Sequence, residues 1–281
     1  MKKLKKSFFL PCLLVFICFL LAAPSSLKGQ GHIELGFHYG SWSVNLLKGI
    51  IEEGLSEALE SELKDQFIED IQQDHPSLQE TFYSQAVEFD SGGNNFGFEL
   101  RWYPGGKTGS FSLGLSVEKS SFEISLPNIS AELDMKDMIT QEEASFRGDA
   151  SSRFLIKPWS FLLSLRWDII PSSSVHPYFT MGFGAATGTA LENATLTYSY
   201  SGSLEVTGEE PENYQGGESK SLQQLKEDME EEGEEFFLPG FIPFIQLNFG
   251  LKARVMPNLH LLVDAGVFNG FLLRGGISLR L

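Results

Sequence analysis

The sequence predicts an all-β fold: an eight-stranded antiparallel up-and-down transmembrane β-barrel, with helical insertions in long loops at one end. Three observations predict it. Segments of about 10 residues alternate apolar and polar positions, which is the length and pattern of strands that cross a bilayer in a closed barrel. The connections between them alternate between a few residues and several tens. The last such segment runs to the final residue, Leu281. Period-two alternation gives a strand one apolar and one polar face. A soluble sandwich shares that pattern, but not the alternation of connection length.

The N-terminus carries Lys2, Lys3, Lys5 and Lys6, then an apolar run from Phe8 to Ala23 interrupted by Pro11. That run is short for a membrane span and is followed by small residues, so residues 1–25 read as a secretory signal peptide. Cleavage is expected between Ala23 and Gln30. Both cysteines, Cys12 and Cys18, lie inside this segment, so residues 26–281 are expected to be free of thiols and of disulfides. No other stretch is long and apolar enough for a transmembrane helix. Entry into a membrane then requires a closed barrel, because hydrocarbon leaves no water to satisfy an open sheet edge.

The first strand sets Ile33, Leu35, Phe37 and Tyr39 against Glu34, Gly36, His38 and Gly40. Trp42 breaks that parity and reads as a bulge or a residue above the membrane. The second strand sets Phe96, Phe98, Leu100 and Trp102 against Glu99, Arg101 and Tyr103. The turn Pro104-Gly105-Gly106-Lys107 leads into the third, Phe111 to Val117 against Ser112 to Glu118. The fourth carries Trp159, Phe161, Leu163, Leu165 and Trp167 against Ser160, Arg166 and Asp168. The fifth has Phe179, Met181 and Phe183 against Tyr178 and Thr180. The sixth places Ile245, Leu247, Phe249 and Leu251 against Gln246, Asn248, Lys252 and Arg254. After Met256-Pro257-Asn258, the seventh sets Leu261, Val263 and Val267 against His260 and Asp264. The eighth sets Phe271, Leu273, Ile277 and Leu279 against Arg274, Gly276, Ser278 and Arg280.

Short turns join strands two to three, four to five and six to seven. The long segments lie at about 44–90, 125–152 and 186–240. They hold the acidity: residues 44–90 and 186–235 contain 25 of the 37 acids and 4 of the 21 basic residues. An acidic surface of this kind excludes nucleic acid as a partner. Within the first segment Leu47, Ile51, Leu55, Leu59, Leu63, Phe67 and Ile71 recur every four residues, the stripe of an amphipathic helix. Its acidic polar face disfavours a place on anionic lipid, so it is expected over the barrel mouth or against a second helix at 219–233. Ser120 to Leu126 and Thr195 to Val206 read as extended, so a ten-stranded barrel is the rival arrangement.

Trp102, Trp159 and Trp167 share the apolar face and read as an aromatic girdle. Trp159 and Trp167 are eight residues apart, roughly 20 Å along a tilted strand, which suits two girdles around a belt about 25 Å tall. The opposite face carries Glu34, Glu99, Glu118, Asp168 and Asp264 with Arg101, Arg166, Lys252, Arg254, Arg274 and Arg280. An eight-stranded barrel has room inside only for side chains. Charges there must pair, because burying one alone is costly. A lumen charge network is therefore expected. His38 and His260 are the histidines read as facing inward, and His38 is placed near Glu34 or Glu99. No serine nucleophile motif accompanies them, no calcium-loop spacing occurs and no cofactor is implied.

Arg274-Gly275-Gly276-Ile277-Ser278-Leu279-Arg280-Leu281 resembles the C-terminal signal of bacterial outer-membrane barrels, with Gly276, Leu279 and Leu281 at its marked positions. Family members usually end in an aromatic residue, so Leu281 departs from the pattern. His176 to Gly184 and Leu251 to Phe268 also resemble the small OmpA/OmpX-like barrels. The resemblance covers the strands and none of the long loops. It implies residence in the outer membrane, contact with outer-membrane lipid and with the barrel assembly machinery during insertion, and long loops outside the cell. It also implies a noncatalytic role in surface structure or in binding an extracellular protein partner. The alternatives are a small passive or gated pore and a lipid-modifying enzyme.

Overall fold

The computed structural model describes residues 31–281 apart from 107–108, 232, 234–235 and 269, and without the side chains of 62, 63, 65, 66 and 70. Residues 1–25, read as a signal peptide, lie outside the described residues. So do Lys107 and Asn269 of two expected turns, and the side chain of Leu63.

The strands are β1 (His32–Ser43), β2 (Gln79–Tyr103), β3 (Phe111–Lys136), β4 (Glu143–Ile156), β5 (Trp159–Asp168), β6 (Val175–Thr187), β7 (Thr195–Val206), β8 (Glu212–Ser221), β9 (Phe241–Met256), β10 (Leu259–Phe268) and β11 (Phe271–Arg280). All pair antiparallel in one sheet. From β2 the order runs β1, β11, β10, β9, β6, β5 and β3, and β3 pairs back onto β2. Eight strands thus close into a ring. They are the eight segments read from the periodicity.

The expected long segments are not loops throughout. β2 and β3 are 25 and 26 residues long, about twice what the ring uses. Their distal halves stay paired as far as Gln79 and Lys136. β4 adds to the distal half of β3, β7 to β4, and β8 to β7. These three strands lie outside the ring, so Thr195–Val206 does form a hairpin with Glu212–Ser221 without making the ring ten-stranded. The distal sheet shifts register at Pro127 of β3, between Leu126 and Ile129, and again between Glu80 and Phe82 of β2. A proline lacks the N–H that a ladder position needs.

The helical stripe forms as α1 (Lys48–Leu59) and α2 (Asp65–Asp74), joined by a wider π-type turn at Glu60–Lys64. It packs on the distal sheet, not over the ring and not against the short helix Leu222–Glu231. Ile71 is buried with Leu78, Leu133, Met135, Ala144 and Phe146, and Phe67 stacks on Phe146 at 4.3 Å. Polar ties fix the helix along β2: Glu52 accepts from the Phe89 amide at 2.8 Å, and Gln85 donates to the Ser56 carbonyl at 2.6 Å. The distal sheet offers an apolar face of its own, and the stripe covers it.

Candidate functional site: the ring interior and its outer face

The ring is inverted relative to a soluble sheet. On the outward face Leu35, Phe98, Leu163, Phe183, Phe249, Val263 and Leu273 are all exposed. Trp159 and Trp167 are exposed on the same face, 48% and 37%, and Trp102 is half-buried there. Inward, Glu34, Arg101, Glu118, Arg166, Asp168, Lys252, Asp264 and Arg274 are all buried. Alternation explains both faces: one residue on, one residue off, around all eight strands.

The inward charges gather into three groups. Near the short-turn end, Lys252 Nζ lies 2.7 Å from Glu34 Oε2 and donates to the Tyr103 hydroxyl at 3.0 Å. Arg280 reaches Glu34 Oε1 at 3.2 Å, and Ser278 donates to Glu34 at 3.3 Å. Next, Glu99 pairs directly with Arg101 and, at 3.4 Å, with Arg166. Arg101 also donates to Ser164 at 2.7 Å and Ser112 at 3.1 Å. Farther up, Arg274 Nε donates to Asp264 at 2.9 Å and its Nη1 lies 3.7 Å from Glu118. Tyr178 and Asn248 complete the Asp264 shell at 2.6 and 2.9 Å. Glu118 accepts from Asn95 at 2.9 Å. Each carboxylate of these groups thus meets a cation and neutral donors, which offsets the desolvation that an isolated buried charge would suffer.

Four sequence readings need correction. Arg254 does not join the interior: it is exposed at the end of β9 and donates to Ser174 at 3.3 Å. Asp168 is buried, but its ion-pair neighbour among the described residues is His176 at 3.8 Å, not an arginine or lysine. His38 meets neither Glu34 nor Glu99; its Nε2 lies 3.4 Å from Glu118. Trp42 makes no bulge, since β1 pairs without a register shift from Glu34 to Ser43. It keeps the inward parity instead and is 4% exposed.

Trp42 belongs to an apolar stopper. With Leu162, Ala186, Phe244, Phe268 and Leu272 it forms a buried cluster at the far end of the ring, against which Phe122 packs. The Trp42 indole donates to the Phe268 carbonyl at 3.0 Å, which satisfies its one donor. Among the charge groups lies a cavity of about 20 Å³ beside His38, Glu99, Arg166, Asp264 and Arg274, room for about one water. Sequence reading also missed His32 and His176, both buried and inward. His32 stacks on Tyr103 at 4.5 Å. The signal was present, because both residues continue the parity of their strands past the chosen starts.

β11 carries the C-terminal residues. Leu279 and Leu281 are exposed outward, and the Leu281 amide donates to the Ile33 carbonyl at 2.8 Å. Gly276 faces inward, where a Cβ would come within 2.9 Å of the Phe37 carbonyl oxygen. Glycine allows that approach.

No protein-family model matches the chain, and no curated protein matches its sequence. Among solved structures, the N-terminal β-barrel domain of Pseudomonas aeruginosa OprF is 9% identical, over 90% of this chain and 98% of that one, with a TM-score of 0.27. The translocator domain of the autotransporter NalP from Neisseria meningitidis is 10% identical over 95% of both chains, with a TM-score of 0.24. These are similarities of low score, and it is the strand pairing itself that establishes an all-β antiparallel sheet closed into an eight-membered ring.

Proposed function

We propose that the chain is a noncatalytic outer-membrane β-barrel protein, a closed ring that anchors an acidic sheet-and-helix platform outside the cell. In this reading residues 1–25 direct export and are removed. Residues 26–281 make the barrel and its platform, and the assembly machinery engages β11 through Gly276, Leu279 and Leu281. Trp102, Trp159 and Trp167 form the girdle against lipid. The observation that carries the reading is the inversion of the ring: apolar side chains cover its outside while ion pairs fill its inside. Water would reward the opposite arrangement, and hydrocarbon rewards this one. The platform is a second layer of function, because a sheet built from the distal halves of β2 and β3 with β4, β7 and β8 presents a rigid surface to an extracellular protein.

Brominated acyl chains test the reading. Protein refolded into brominated phosphatidylcholine should show quenching of Trp159 and Trp167, read by comparison with Trp159→Phe and Trp167→Phe. The fluorescence of Trp42, inside the stopper, should survive. Equal quenching of all, or of none, contradicts a lipid-facing outer surface.

A further inference from the structure

The basic side chains beyond the long-connection end of the ring are nearly all neutralised. From Lys48 to Lys226, seven of them have a carboxylate within 3.6 Å. Lys119 and Lys157 form no ion pair among the described residues. Instead Lys119 Nζ donates to the Lys157 carbonyl at 2.7 Å and sits 5.2 Å from the centre of the Trp159 ring. In a chain of formal charge −16, two lysines that line one cavity without an ion pair among the described residues are an exception that asks for an anion.

They also line a cavity. About 380 Å³ of space opens between the middle of β3, the end of β4, the start of β5 and the short helix Thr189–Glu192. Thr187, Thr189, Thr195 and Asn193 line it with the two lysines and Trp159, so hydroxyl and amide donors stand beside the cations. Three tetrahedral oxygens with a double negative charge are what such a set of point cations and neutral donors binds. Glu118, next to Lys119, is turned into the ring interior, and Glu192, next to Asn193, lies on the short helix beside the cavity.

The place of the cavity identifies the source of the phosphate. Trp159 is outward and exposed, and below it on the same face come Phe161, Leu163 and Phe183. A ligand with its phosphate at the lysines would lay its chains on those residues. Tryptophan at the edge of an apolar belt, with lysine snorkelling above it, is the arrangement of a lipid headgroup boundary. We infer that Lys119, Lys157 and Trp159, with the threonines around them, bind the phosphate monoester headgroup of an outer-leaflet lipid. This rests on the outer-membrane reading above.

The test uses the full chain in vesicles of phosphatidylcholine containing one-tenth brominated phosphatidic acid, with wholly brominated phosphatidylcholine as reference. Quenching of Trp159 is read as the difference between the protein and its Trp159→Phe variant. The monoester lipid should quench Trp159 well beyond its share of the bilayer, and Trp167 in proportion to it. Lys119→Gln with Lys157→Gln should lower the apparent affinity about tenfold, the cost of losing charge-assisted contacts, while Lys119→Arg with Lys157→Arg retains it. Enrichment unchanged in the glutamine variant overturns the site. Inorganic phosphate that displaces the lipid at equal concentration overturns the lipid assignment. Quenching by the phosphatidylcholine reference without preference for the monoester overturns this inference alone. No quenching in the reference overturns the membrane reading with it.

Discussion

Glu34 is the most connected acid of the interior: Lys252, Arg280, Ser278 and His32 all reach it. Glu34 and Lys252 are each 1% exposed. Lys252→Met leaves Glu34 short of its nearest cation and should cost about 3 kcal/mol of stability, in the range for stranding a buried charge. Glu34→Gln with Lys252→Met should recover part of that loss in chemical denaturation, and simple additivity would show that the pair is not a unit. This pairing was legible as far as parity goes, since period two alone puts Glu34 and Lys252 on one side of the sheet. Which acid meets which base was not legible, because that depends on stagger between strands distant in sequence. Arg254 misled for a related reason: parity says which way a side chain points, but not that the residue lies at the exposed end of its strand, while Asp168 is buried as parity predicts and only its partner differs. Trp42 misled because a large aromatic on the polar parity was read as a bulge or as lying above the membrane, and it fills the far end of the interior.

The distal sheet shows a different limit. β8 is polar on both faces, while β4 and β7 alternate with serine, glycine and threonine diluting the contrast: Ala144, Phe146 and Phe154 lie on one face of β4, and Leu196, Tyr198, Tyr200 and Leu204 on one face of β7. The diluted alternation made only Thr195–Val206 legible as extended, and these strands follow the ladder that β3 continues. The helix stripe was readable from its four-residue spacing, but its partners, Leu78, the end of β3 and the start of β4, lay beyond the segments read as strands. Replacing Ile71 with alanine should loosen the helix against the sheet by about 2–4 kcal/mol, within the range for emptying a buried aliphatic site. Amide exchange should quicken from residue 65 to 74 and along β4, while β9 to β11 stay protected. Uniform loss across the ring would mean that platform and ring fold as one unit. The β3–β4 turn makes a second prediction. Asp137 accepts from the amides of Ile139 at 2.6 Å and Thr140 at 3.2 Å. The Ile139 amide, chief among these donors, lowers the carboxyl from 3.8 to about 2. A depressed acid stabilises the fold above its unfolded value and loses that contribution as pH falls through the folded one. The turn amides should thus keep their protection down to pH 4 and lose it towards pH 2, and Asp137→Asn should abolish that dependence.

At the scale of the molecule, two structures share one pair of strands. The near halves of β2 and β3 close a ring with a charged interior and an apolar outside, and the far halves carry a sheet with a helix on it. No helix among the described residues is long and apolar enough to cross a membrane, and in the proposed reading it is the ring that meets the bilayer. Its interior is blocked twice, by ion pairs and by the Trp42 stopper, as a ring of eight strands allows. The ring was visible in the sequence because each of its strands has two strongly unlike faces, and the platform was hidden because serine, threonine and glycine blur the contrast in its strands. The central claim is a closed ring in a membrane, and ion conduction tests it most directly. Purified full-length protein, shown to be inserted in a planar bilayer by protection of its strands from protease, should give no stable single-channel steps. Reproducible porin-like steps from the unmodified protein would contradict the closed interior and make the ring a pore.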